Sequence, residues 1–194
     1  MASSWTYVVI SEQAIPEITL HTSRHALLMA DDVWPCYRQV FGGFDDLNAF
    51  RAELFDRHAR REGFCLVTAS DAGTVVGFSW GYIGQRGQFW SDLVGEALPD
   101  DIVNQWIGGH FEFVELAVSA SFRGRGLGVV LHDRLLADVE RRCLLSTVDD
   151  PADPAVRLYL RAGWHRLGTL RPGVQVMGRY AAMATSPPGS TESS

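Results

Sequence analysis

Two glutamates three residues apart, Glu112 and Glu115, stand in the apolar run FEFVELAV, which leads straight into SFRGRGLGV at 121–129. Further on, Tyr159 sits in AVRLYLRAGW. A carboxylate can take a proton from a nucleophile, and a tyrosine hydroxyl can give one to a leaving group. A glycine-rich turn that opens a helix can hold a phosphate. The glycines ask for the most explanation. Gly124, Gly126 and Gly128 occupy alternate positions, and glycine gives up more backbone entropy on folding than any other residue. A strand ending at Val118, a short loop and a helix opening near Leu127 would gather several N–H groups in one concavity. The positive helix end adds attraction for a diphosphate, and a Cβ in the loop would hold the phosphates away from the backbone.

Other phosphate loops compete for this segment. A P-loop needs a lysine, and all 17 basic residues are arginine. The same absence excludes lysine Schiff-base chemistry and autoacetylation of a lysine side chain. The dinucleotide fingerprint needs a small residue three after Gly126, where Val129 stands, although Asp149 and Asp150 lie about 20 residues on. A plain packing role for the glycines is the structural alternative.

The elements that must position these groups can be read from periodicity. Residues 15–23 read as a strand and 26–41 as a helix, with Pro35 near its first turn or kinking it. Asp45 or Asp46 caps a second helix that puts Leu47, Phe50 and Leu54 on one face. Strands at 64–70 and 74–84 make a hairpin around Asp71-Ala72-Gly73, with Val76, Phe78, Trp80 and Tyr82 alternating onto one face. Residues 85–110 read as short helix and loop, 111–118 as a strand. Leu127, Leu131, Leu135 and Val139 mark a helix face; 143–148 is a strand. Ala155, Leu158, Tyr159 and Ala162 mark a short helix stopped by Gly163, and strands at 164–170 and 174–181 close the chain. The class is mixed α/β (α+β), one domain over 15–183, with an extension at 1–14 and a tail at 184–194.

Composition narrows the function. A formal net charge of −6 argues against general nucleic-acid binding. No signal-peptide pattern or membrane-length apolar run is present, and Cys36, Cys65 and Cys143 show no CxxC spacing, so reduced thiols in a cytoplasmic protein are expected. His21 and His25 straddle a strand–helix boundary, and His132 is expected to face solvent, so no metal site is predicted.

The loop resembles the acetyl-CoA-binding motif of the GNAT superfamily of N-acetyltransferases, [RQ]xxGx[GA], with Arg123, Gly126 and Gly128 at its fixed positions. AVRLYLRAGW is similar to the family's AxxLYxxxGF, with Trp164 for Phe. The resemblance spans roughly residues 26–180. It implies a single domain with a mostly antiparallel twisted sheet of six to seven strands and about four helices. It also implies acetyl-CoA as cosubstrate, an amine acceptor and a possible homodimer, without nucleic acid or membrane. Leu116, Ala117, Val118, Arg123, Gly124, Arg125, Gly126, Leu127 and Gly128 would hold the cosubstrate, and Tyr159 would be the general acid. The base is Glu115 or Glu112: a regular strand points them to opposite faces, and Glu115, nearer the acyl group, is slightly preferred. A strand bulge would blur that parity. Ala120 and Ala152 replace a proline and an asparagine common in the family. The acidic insert could wall the acceptor pocket, with Asp92, Glu96, Asp100 and Asp101 favouring a cationic amine. A degenerate CoA-binding module is the alternative function.

Overall fold

The computed structural model describes residues 15–181, so the expected extension and tail lie outside the described residues. Ala72 and Gly73, at φ 47° and 80°, turn the chain between β2 (Cys65–Asp71) and β3 (Thr74–Gly84). Positive φ at both central residues matches the twist of a tight hairpin. Around this hairpin lie β1 (Glu17–Thr22), β4 (His110–Val118), β5 (Cys143–Val148), β6 (His165–Arg171) and β7 (Val174–Arg179). They form one seven-stranded sheet in the order β1-β2-β3-β4-β5-β7-β6. Every pairing is antiparallel except β4 with β5.

The helical segments are shorter than the periodicity alone implies. The first expected helix divides into α1 (Ser23–Leu27) and α2 (Ala30–Val40), with Pro35 inside α2 rather than in its first turn. The second comprises α3 (Leu47–Phe50), a π-turn at Arg51–Phe55 and α4 (Asp56–Ala59), capped by Asp46, whose side chain accepts from the Ala49 N–H. The insert folds into α5 (Phe89–Ala97) and α6 (Asp100–Trp106). After β4 come α7 (Leu127–Leu136) and α8 (Pro154–Arg161). Val139 lies beyond α7, although it still packs on the same cluster as Leu127, Leu131 and Leu135.

Two cores sandwich the sheet. On one face, α1–α4 bury Tyr37, Phe50 and Phe55 against Phe78, Trp80 and Tyr82. On the other, α7 and α8 bury Leu131, Leu135 and Tyr159 against Val67, Phe111 and Phe113. Val76 belongs to this second core, not with Phe78, Trp80 and Tyr82 as alternation predicts. The register explains it: Ala69 pairs Gly77 and Ser70 pairs Val75, so Val76 is an extra, bulged residue. A third cluster packs α5 and α6 on Leu144 and Val176. Leu144 partners Glu112, so the insert shares the α1–α4 face. Among the described residues, no helix is long and apolar enough to cross a membrane.

Candidate active site

The parallel pair β4–β5 lasts for two partners only, Phe111 with Cys143 and Glu112 with Leu144. Beyond Glu112 the two strands part: β4 stays on β3 as far as Val118, and β5 stays on β7 as far as Val148. A wedge opens in the sheet with Glu112 at its apex.

A bulge in β4 decides what faces the wedge. Trp80 pairs Glu115 while Gly81 pairs Phe113, which leaves Val114 as the extra residue. Cross-strand partners share a face, and Glu112 pairs Tyr82. Both glutamates therefore lie on the Trp80–Tyr82 face, and the opposite orientation expected of a regular strand is corrected. The backbone parity reverses too. The Phe111 N–H donates towards β5, to the Arg142 carbonyl, whereas the Ser119 N–H donates towards β3, to the Val76 carbonyl. Backbone groups alternate along a strand, so the N–H and C=O of Val118 point into the wedge. Arg123 confirms the direction, its Nε donating to the Val118 carbonyl at 2.9 Å.

The glycine loop closes one end of this opening. Gly124 and Gly126 have φ of 75° and 80°, and a Cβ on either would meet nothing within 4 Å. Their glycines are required by left-handed backbone, and the space in front of them is open. Gly128 has no such φ; a Cβ there would touch Leu158 Cδ1 at an ordinary 3.5 Å. A groove of about 470 Å³ is lined by Leu116, Ala117, Val118, Arg123, Gly124, Gly126, Leu127 and Gly128, with Ala155, Leu158 and Arg161 of α8 also on its walls. Of the predicted cosubstrate residues, Arg125 alone is outside that lining, and its guanidinium lies 5.4 Å from the Phe122 ring centroid.

Local signals set α8 in place. The Asp153 carboxylate accepts from the N–H groups of Ala155 and Val156. At the other end, Gly163 at φ 84° lets the Trp164 N–H reach the Tyr159 carbonyl, a Schellman stop. Tyr159 is 7% exposed, its ring packed about 6 Å from Phe113, Trp164 and His132. Burial, then the charges of Glu115 and Asp153, hold its hydroxyl proton more tightly than usual. After burial, the larger cause, the charge of Glu115 also raises Tyr37. The residue keeps some exposure, yet burial alone pushes its carboxyl up to about 8. Neither Tyr159 nor Glu115 lines the groove.

His132 corrects the expectation of a solvent-facing residue: it is fully buried. Trp164 Nε1 donates to its Nε2 at 2.9 Å, so its proton sits on Nδ1, 2.7 Å from the Asp133 carboxylate. Burial, opposed by the Asp133 contact, lowers the pKa of the ring. The helix is covered on a second side by Trp164, which periodicity within α7 cannot reveal.

On the α1–α4 face, below the apex, lies a cavity of about 270 Å³. Its lining includes Glu112, Tyr82, His58, Arg57, Arg61 and Trp90. Glu112 is 4% exposed; Tyr82 donates to its Oε1 at 2.8 Å, and its buried Oε2 has no partner. Burial pushes this carboxyl up to about 7, opposed by the Tyr82 hydrogen bond and by Arg61. His58 Nδ1 accepts from Trp80 Nε1 at 3.3 Å, and burial with Arg61 and Arg57 lowers it to about 4, so it is neutral near pH 7. The insert does wall this cavity, through Gln88, Phe89 and Trp90. Its acidic residues do not: Asp92 accepts from the Gly87 N–H, and Asp100 and Asp101 open α6. Tyr82, His58, Arg57 and Arg61 are functional candidates that the sequence reading passed over. The alternation of β3 marks Tyr82 as core, and DRHARR looks like a solvated charge run.

Comparison with known proteins agrees with this geometry. The chain matches the family described as Acetyltransferase (GNAT) over residues 27–164. It is 30% identical over 144 residues to GCN5-like protein acetyltransferase Rv2170 of Mycobacterium tuberculosis, covering 59% of this chain and 70% of that protein. Among solved structures, yncA of Salmonella typhimurium with acetyl-CoA superposes at TM-score 0.58 and 14% identity, over 88% of this chain and 98% of the other. Aminoglycoside 6'-acetyltransferase type Ii gives 0.58 at 17% identity, over 86% and 97%. Both share the fold. With the family match covering most of the chain, the chain belongs to the GNAT acetyltransferase family.

Proposed function

We propose that the protein transfers an acetyl group from acetyl-CoA directly to a primary amine, with the cosubstrate in the loop groove and the acceptor in the Glu112 cavity. The observation that carries this reading is the wedge. At one point in the sheet, an open backbone edge meets the glycine-loop groove, and a buried carboxylate with a vacant lone pair meets a separate cavity.

The chemistry follows from the groups. Backbone N–H of Val118, aimed into the wedge, donates to the thioester oxygen as negative charge develops there. The amine nitrogen bonds to the acyl carbon and the carbon–sulfur bond breaks. Glu112 Oε2 takes the proton that the nitrogen loses, and the Tyr159 hydroxyl gives one to the departing sulfur. We take Glu112 rather than Glu115 as the base, supported by its place in the cavity lining, where Glu115 is absent. Glu115, pushed up to about 8, holds its proton at pH 7 and neighbours Tyr159 as a neutral acid. Three free cysteines, two buried and one half-buried, fit a reducing compartment, and we place the activity in the cytoplasm.

An amine panel scored by acetyl-CoA-dependent thiol release tests the activity. In parallel, saturating acetyl-CoA should raise the melting temperature and NAD or ATP should not; at 100 times Kd the gain is about 2.7 kcal/mol. CoA binding with no amine acetylated would instead support the CoA-binding module.

A further inference from the structure

The Glu112 cavity has a charged mouth that base chemistry does not need. Arg57, in α4, and Arg61, in the turn just past its end, both line it. Their neighbours are neutralised: Arg51 pairs with Asp31 and Asp56, and Arg60 with Asp56. Among the described residues, neither Arg57 nor Arg61 forms a close ion pair, although Arg61 is near enough to Glu112 to favour its charged form. Arg61 sits 6.0 Å from the Tyr82 ring centroid, and Tyr82 in turn donates to Glu112, so guanidinium, ring and carboxylate stand in sequence from mouth to floor. Arg57 Nη1 donates to the Glu53 backbone carbonyl. The Glu53 side chain, exposed at the rim, is the one lining carboxylate besides Glu112, and His58 is neutral.

We propose that the acceptor is an amino acid-like zwitterion, whose carboxylate is held by Arg57 and Arg61 while its amine reaches Glu112. This rests on the cavity being the acceptor side. Guanidinium is permanently charged and presents a planar fork that matches a carboxylate bidentately. The two unpaired cations repel a purely cationic acceptor such as a polyamine, and the buried Oε2 of Glu112 supplies the acceptor that an incoming amine N–H needs. A cavity of 270 Å³ suits a small molecule, with both charged ends satisfied within it.

The test uses the full chain with saturating acetyl-CoA. α-Amino acids and ω-amino acids of two to six carbons are compared with their carboxamides, with spermidine and with a lysine peptide blocked at both ends. The preferred acid should show kcat/KM at least about 10-fold above its carboxamide, mainly through KM. In Arg57→Gln/Arg61→Gln that ratio should fall towards one. Equal turnover of acids and carboxamides, or a preference for spermidine or the blocked peptide, overturns the proposal but leaves amine acetylation standing. Calorimetric binding of the acids separates the other failure. If an acid binds the parent and not the double variant, yet no amine is acetylated, the carboxylate site stands and the transfer reading falls. If none of the acids binds or reacts, the carboxylate site is overturned.

Discussion

On the loop side of β4, the groove is lined by the glycine turn and by side chains that are small or apolar apart from Arg123 and Arg161. On the opposite face, a few residues away, the cavity is furnished by side chains from three separate segments: residues 53–61 (the π-turn, α4 and the turn after it), β3–β4, and the start of α5. The first is a site of backbone conformation, written in glycine and in one strand bulge. The second is a site of side-chain chemistry, assembled by tertiary packing. Backbone sites tolerate changes of side chain and fail when φ is altered; side-chain sites fail one functional group at a time.

The widest separation between the two should come from removing single oxygens. Tyr159→Phe keeps the ring that packs against Phe113 and Trp164 and should lower kcat by roughly 10²–10⁴-fold, the usual scale for general acid–base catalysis. KM for acetyl-CoA should hold, because the proton is needed only at the transition state. Glu112→Gln should cost a similar factor. The parent rate should rise with pH up to about 7, as the Glu112 carboxyl ionises, and then level. In the variant that rise should disappear. Full activity in Tyr159→Phe on a good acceptor would remove the acid assignment, and an unaltered pH profile in Glu112→Gln would remove the base.

Gly126→Val probes the backbone side. A branched residue at φ 80° is strained by at least about 1–2 kcal/mol, and its side chain enters the open space in front of the loop. Acetyl-CoA affinity should fall at least about 10-fold with the circular dichroism spectrum intact. An unchanged Kd in a folded variant means that the loop is a packing device.

The same contrast explains what was legible. Arg123, Gly126 and Gly128 and the AVRLYLRAGW helix are contiguous in sequence because a turn and a helix stop are local events, so motif and structure coincide there. Glu112 and Glu115 were visible as residues but not as a pair on one face. The bulge at Val114 that aligns them comes from pairing with β3, and FEFVELAV gives no local sign of it. Val76 misled the alternation of β3 for the same reason. The cavity was the least legible part. Tyr82, His58 and Arg61 lie up to 24 residues apart in sequence, and each has a bland reading on its own element. His132 shows the converse, a residue whose burial is decided by a tryptophan 32 positions away.

Arg123→Ala should have a smaller effect than Gly126→Val. It removes one charge-assisted hydrogen bond to the Val118 carbonyl but leaves the backbone donors of the loop. Because the group is exposed, solvent screens this bond to about 1 kcal/mol or less, and acetyl-CoA Kd should rise by no more than about 10-fold. A larger loss than in Gly126→Val would shift the main contact from backbone to the guanidinium.

The smallest effect expected is on stability, and it separates the two glutamates from the rest of the site by pH. Burial raises Glu115 to about 8 and Glu112 to about 7, so between pH 4.5 and 8 the folded chain binds more protons than the unfolded one. Stability from these two groups is therefore complete at acid pH and lost as pH rises through 7 and 8. His58 and His110, both lowered to about 4 chiefly by burial, act in the opposite sense. They are neutral when folded and take up protons when unfolded, so their contribution is lost as pH falls from about 6.5 towards 4. Together they place the melting-temperature maximum on the mildly acid side of neutrality. Glu115→Gln keeps the shape and removes the charge. Its melting temperature should match the parent below about pH 4.5 and exceed it clearly at about pH 9, the difference growing as pH rises through the folded value. Equal melting temperatures at both pH values would mean that Glu115 ionises freely, and the base assignment would return to it.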